Sequence, residues 1–126
     1  MQTHTGSCLC GVVDELTHCH CKMCRKAHGA AFASYVGVPL DTLHFMAGKD
    51  QLGVYHSSEH VTRTFCIRCG SNLLFVDNRE HEVGVAAGTL DSPLPAPPQS
   101  HIFVDSKADW YEIHDGLPQH KGDSTS

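Results

Sequence analysis

The chain lacks any apolar run near the roughly 20 residues that span a bilayer. It also lacks internal repeats, heptads and a long amphipathic helical pattern. These absences exclude a membrane-spanning helix, a solenoid and a coiled coil. Cations are scarce, with 9 Lys and Arg against 14 Asp and Glu and a formal charge of -5. Such a balance offers little to a phosphate backbone, so nucleic acid is not an expected partner. Lys22, Arg25 and Lys26 form the one local basic cluster. The first residues, Met1-Gln2-Thr3-His4-Thr5, lack the basic and apolar regions of a signal peptide. A cytoplasmic protein with no membrane partner is therefore expected.

Cysteine and histidine are abundant instead, with 7 and 11 among 126 residues. A chain of this length predicts one domain, taken as residues 1–120 with a polar, frayed tail at 121–126. Many small domains reinforce a limited core with metals or disulfides. The cysteines occur as a C-x-C pair (Cys8, Cys10), a C-H-C-x-x-C triple (Cys19, Cys21, Cys24) and a C-x-x-C-G pair (Cys66, Cys69). An odd count and an expected reducing compartment argue against a disulfide framework. A thioredoxin-like pair would need a buried strand and a long helix around it, and neither is legible. Iron–sulfur ligation suits cysteine as well, but closely spaced pairs fit tetrahedral zinc best.

The spacing explains the preference for zinc. One or two intervening residues let two sulfurs turn toward one ion. Gly70, just after Cys69, lets the backbone fold near the sulfurs and suits a positive φ. A structural zinc takes four protein ligands, whereas a catalytic zinc keeps one position open. Seven cysteines divide naturally into four (Cys8, Cys10, Cys66, Cys69) and three (Cys19, Cys21, Cys24). The triple with one distant cysteine is an open alternative.

The remaining pattern predicts a mainly β domain. Residues 31–38, 52–56, 61–65, 73–76, 82–87 and 101–104 read as short strands, expected to form two small antiparallel sheets. Residues 22–27 read as a helical turn stopped by Gly29. The segment 93–98 contains four prolines and fits neither helix nor central strand. Trp110 reads as a core residue.

The ordered segments Gly6-Ser7-Cys8-Leu9-Cys10-Gly11, Cys19-His20-Cys21-Lys22-Met23-Cys24-Arg25-Lys26, Phe65-Cys66-Ile67-Arg68-Cys69-Gly70 and Ala87-Gly88-Thr89-Leu90-Asp91 resemble the glutathione-dependent formaldehyde-activating enzyme family. Its domain is shared with centromere protein V. The tail around His101, Trp110 and Asp115-Gly116-Leu117-Pro118 matches too. The resemblance implies a β-tent fold with zinc-binding loops. It assigns a structural zinc to Cys8, Cys10, Cys66 and Cys69 and a catalytic zinc to Cys19, Cys21 and Cys24. It further implies a carbon–sulfur lyase joining formaldehyde to glutathione, with a small-molecule thiol as partner. A non-catalytic zinc module that binds a thiol or a protein is the alternative function. The stretch from Val13 to His18 is shorter than the family's usual one. Losing half a hairpin would leave an unpaired sheet edge, which favours residues absent from the sequence over a true deletion.

Three thiolates leave zinc with net negative charge and weak Lewis acidity. Binding and positioning a substrate thiol is therefore the expected role, ahead of carbonyl activation. His20, between two ligands, is the candidate proton shuttle or fourth ligand, weighed against a hydrogen-bonding residue that shapes the loop. His18 and His28 read as local structure. Arg25 and Lys26 are candidates to bind a substrate carboxylate.

Overall fold

A computed structural model describes residues 15–43, 48–91 and 99–123. The protein is mainly β, as the short alternating segments predict. In chain order the elements are β1 (Leu16–Cys19), α1 (Lys22–His28), β2 (Ala33–Pro39), β3 (Leu52–His56), β4 (Val61–Cys66), β5 (Asn72–Asp77), β6 (Glu82–Ala86) and β7 (Gln99–Ile102). The strands join in one seven-stranded sheet, ordered β3-β4-β5-β6-β2-β1-β7. The expected two small sheets are thus continuous. The junctions are the antiparallel pairing of β2 with β6 and of β1 with β2, both between strands whose mates lie far away in sequence or are too short to recognise. All pairings are antiparallel except β1 with β7.

Strand β1 is not among the strands that the sequence pattern predicts. Four residues, Leu-Thr-His-Cys, are too few for alternation to register. In the sheet β1 is paired on both sides, so the short connection leaves no open edge there. The residues before Glu15 lie outside the described set. Edge strand β7 is covered by the tail: His101 N–H donates to Pro118 O and His120 N–H to His101 O, at 2.8 and 2.9 Å. Phe103 N–H donates to Gly122 O at 2.8 Å. Covering an edge in this way blocks pairing with another chain.

Side chains alternate across the sheet with the period of two that strands impose. Val36 and Val38 of β2, Leu74 of β5 and Val83 and Val85 of β6 pack one face, together with Leu73 and Cys66. Cys19, Tyr35 and Ala86 occupy the other face, with Cys24 and Ala33 buried beside them and Phe75 partly buried against them. This second face carries the chemistry. Trp110, read as core, is 70% exposed. No helix among the described residues is long and apolar enough to cross a membrane.

The turn between β4 and β5 holds Cys66 and Cys69. Gly70 N–H donates to Cys66 O at 2.7 Å, and Cys66 N–H donates to Ser71 O at 2.9 Å. Gly70 adopts the positive φ expected of it, +81°. Nothing lies within 4 Å of a Cβ built there, so the penalty for a side chain is backbone strain alone. Gly70→Ala should destabilise the fold by about 1–2 kcal/mol. Urea unfolding monitored by circular dichroism checks this; an unchanged midpoint would contradict it.

Candidate metal centre

The three-cysteine cluster is built from a strand end and a helix start. Strand β1 delivers Cys19, which is buried. Cys21 is the N-cap of α1 in extended conformation, and its sulfur accepts the Cys24 N–H at 3.2 Å. A cap needs an acceptor side chain at this position; here a sulfur serves. The first turn of α1 then swings Cys24 back toward Cys19 and Cys21. The helix stops at Gly29 in left-handed conformation. Asn72 Nδ2 donates to Ala27 O at 2.8 Å and ties the last turn of α1 to β5.

The sulfurs of Cys19, Cys21 and Cys24 all lie within 4.8 Å of one another. Tetrahedral zinc with its usual bonds would set them about 3.8 Å apart. Proton energetics agree with that fit. Hydrogen bonds from Cys19 and then Cys24 pull the Cys21 thiol down to about 2, assisted by the Cys24 N–H and the Arg63 charge and opposed by burial. Cys19 is pushed far up, chiefly by the same hydrogen bonds to Cys21 and Cys24 and then by burial. For Cys24 the hydrogen bond with Cys19 acts downward, but Cys21 and burial outweigh it and the net shift is upward. Three sulfurs this close oppose one another's full ionisation. A thiophilic cation would replace their protons, so the donor set fits a metal.

The cysteine face opens onto a groove of ≈ 770 Å³. Its floor follows the sheet register. Arg63 pairs with Phe75, Phe75 with Gly84 and Gly84 with Gly37. The two glycines leave no side chains of their own there. A Cβ at Gly84 would lie 3.3 Å from the Tyr35 ring, so the glycine lets that ring lie across it. Tyr35 Oη is 2.8 Å from His28 Nε2 and receives a hydrogen bond from Arg63 Nη1 at 3.1 Å. Arg63 Nη2 donates to Cys24 Sγ at 3.6 Å, and its guanidinium lies 5.2 Å from the Phe75 ring centre. Burial opposes the charge on Arg63, but Cys24 and Tyr35 more than offset it and shift its pKa upward. Burial, followed by the Cys24 charge, pushes the Tyr35 hydroxyl up as well.

His20 is fully buried, but its ring is committed to another network. Its Nε2 is 2.8 Å from His101 Nδ1, and His101 Nε2 is 2.9 Å from Asp115 Oδ2. Phe32 packs edge-on to His101 and tilted against His20, and Tyr111 lies tilted beside His20. His20 Nδ1 has no hydrogen-bond partner among the described residues. Burial, then the neighbouring His101, lowers its pKa to about 4, so the ring is neutral near pH 7. Asp115, lowered chiefly by its hydrogen bond with His101, is a carboxylate and assigns the Nε2–H tautomer to His101. The chain Asp115–His101–His20 thus anchors the segment between Cys19 and Cys21 from behind. His18 bonds Ser34 and Gln99, and His28 bonds Tyr35.

Arg25 is half-buried and Lys26 exposed, and neither lines the groove, whereas Lys22 and Arg63 do. Cys66 is buried at the end of β4 and Cys69 is exposed in the turn that follows. Cys8 and Cys10 lie outside the described residues. Sequence reasoning missed Arg63, Tyr35, His101 and Asp115 as parts of the site. For Arg63 a signal exists: in Val61-Thr62-Arg63-Thr64-Phe65 it shares parity with the apolar residues, a charge on the inward face.

Fold and site together define a small, mainly β protein with a three-cysteine centre fit for a metal. The chain matches the glutathione-dependent formaldehyde-activating enzyme family over residues 3–106, and it belongs to that family. A Schizosaccharomyces pombe protein named as an uncharacterised lyase is 25% identical over 122 residues, spanning 90% of this chain and 87% of the relative. A crystal structure of a Rhodobacter sphaeroides protein shares the fold. It is 23% identical with a TM-score of 0.55, covering 75% of this chain and 92% of that one.

Proposed function

We propose that this protein is a zinc-dependent carbon–sulfur lyase acting on adducts of a thiol and a small aldehyde, with S-hydroxymethylglutathione as the leading adduct. The observation that carries this reading is the cluster of three sulfurs, with Cys19 and Cys24 buried and Cys21 half-exposed at a groove. Three ligands rather than four suit a site that leaves a position for substrate. Zinc held by Cys19, Cys21 and Cys24 supplies a place where a substrate sulfur is held as thiolate.

The chain's own residues then define the surroundings. Tyr35 and Phe75 give the groove an apolar wall, and the missing side chains of Gly84 and Gly37 make room for the Tyr35 ring and the Glu82 side chain on its floor. Lys22 at the rim offers a cation for a glutathione carboxylate, a role better placed there than at Arg25 or Lys26. In the synthetic direction a carbon–sulfur bond forms between the thiol sulfur and the carbonyl carbon, and the thiol proton ends on the carbonyl oxygen. The lyase direction reverses both changes. His20 shapes the ligand loop through His101. A second zinc, closed by Cys8, Cys10, Cys66 and Cys69, would hold the β4–β5 turn to the N-terminal segment. Clustered free thiols fit a reducing compartment, and we place the activity in the cytoplasm.

Formaldehyde adds to glutathione without a catalyst, so the test must measure acceleration. Exchange NMR between free glutathione and its formaldehyde adduct reports the rate at equilibrium. The protein should accelerate exchange, and Cys21→Ser should abolish the acceleration and remove one of two zincs per chain. A Cys21→Ser protein with full rate and full zinc content would sink the assignment.

A further inference from the structure

Arg63 on β4 is only 6% exposed. A buried cation is costly unless paired, yet none of the ion pairs among the described residues includes Arg63. Its polar contacts are Cys24 Sγ and Tyr35 Oη, and its guanidinium carbon lies 5.2 Å over the Phe75 ring centre. Its counter-charge is therefore the cysteine cluster. We propose that Arg63 is a positioning residue that sets the charge of the three-cysteine centre, so that the open position of a metal held there accepts an anion, such as a substrate thiolate.

The charge count supports this role. A divalent cation with three thiolates carries one net negative charge, which repels a fourth anionic ligand. The guanidinium cancels that charge, and the fourth ligand then approaches a neutral assembly. Groups buried together interact much more strongly than in water. The sheet holds Arg63 in register opposite Phe75, and the Gly84 gap lets Tyr35 reach it, so the cation is fixed and not free to swing into solvent. The hydrogen bond to Cys24 also withdraws electron density from that sulfur, as outer-shell donors do at metal sites. Arg63 acts through Cys24 and does not itself contact substrate. The inference rests on reading the cluster as a metal centre with an open, thiol-binding position.

The test uses the full chain with Co²⁺ in the three-cysteine site, whose visible bands report a change of ligand. Glutathione and, separately, thiocyanate are titrated in. Arg63→Gln removes the charge but keeps an amide donor, and Arg63→Lys keeps the charge without the fork. Wild-type bands should shift with both ligands. Arg63→Gln should need at least tenfold more of each, and Arg63→Lys should stay within about threefold of wild type. The proposal is overturned if folded, cobalt-loaded Arg63→Gln binds both ligands like wild type, or if wild type binds neither. It is equally overturned if Arg63→Lys loses tenfold, a result that remains readable even where the glutamine variant does not fold. Wild type that takes thiocyanate in an Arg63-dependent way but ignores glutathione would defeat the thiol-substrate reading and leave the role of Arg63 standing.

Discussion

Cys24→Ala should empty the three-cysteine centre, reduce the catalysed exchange by at least about a hundredfold and destabilise the fold by about 3–5 kcal/mol. Two losses combine in this one change. The first is a ligand: with Cys24 gone, only Cys19 and Cys21 remain, and two sulfurs do not hold zinc against a chelator. The second is the partner of Arg63. Its guanidinium is buried and contacts Cys24 Sγ at 3.6 Å, and removing one member of a buried charged pair leaves the other uncompensated. The two losses can be separated. Adding Arg63→Met to Cys24→Ala removes the orphaned cation, so the double variant should regain at least half of the lost stability while remaining inactive and metal-poor. Metal analysis, denaturant unfolding and exchange NMR give the three readouts. If the single variant were as stable as wild type, Arg63 would not depend on Cys24. If it kept its metal, the cluster would not be the centre.

His101→Ala should be the costliest change away from the cysteines, at about 3–5 kcal/mol. His101 is fully buried and stands at the middle of the Asp115–His101–His20 chain. Alanine would leave a cavity among Phe32, His18 and His20. It would also leave His20 with neither ring nitrogen bonded, since His20 Nδ1 already lacks a partner among the described residues. The backbone bonds from residue 101 to Pro118 and His120 remain available, so the tail should stay paired with β7. Because His20 lies between Cys19 and Cys21, the loosened segment should also release metal faster. Transfer of zinc to a colorimetric chelator would show this as a rate increase of about tenfold or more. Asp115→Asn keeps a hydrogen-bonding group at the exposed end of the chain and should cost much less. Equal metal-release rates in His101→Ala and wild type would show that the network supports the fold alone.

The element pattern was largely legible. Alternation and turn residues locate β2 to β7 to within a residue or two, and the helix formers of 22–27 with the Gly29 stop locate α1. The cluster was legible as well, because the spacing of Cys19, Cys21 and Cys24 places three sulfurs on a strand end, a helix cap and a first helical turn, all local structure. The one sheet in place of two was not legible. Its long-range pairings, β2 with β6 and β1 with β7, join residues 43 to 51 and 83 positions apart, and no local pattern encodes such partners.

By itself, the sequence determined the mainly β character, the three-cysteine centre and the family, since each rests on residue types at short spacing. The tertiary structure alone decided which residues surround that centre. Arg63 lies 39 residues from Cys24 and His101 lies 81 from His20. Their burial follows from strand register and sheet order, properties of the assembled sheet and not of any segment of it. That assembly turned His20 toward His101 and put Arg63 beside the sulfurs, while Arg25 and Lys26, the candidates for a substrate carboxylate, do not line the groove.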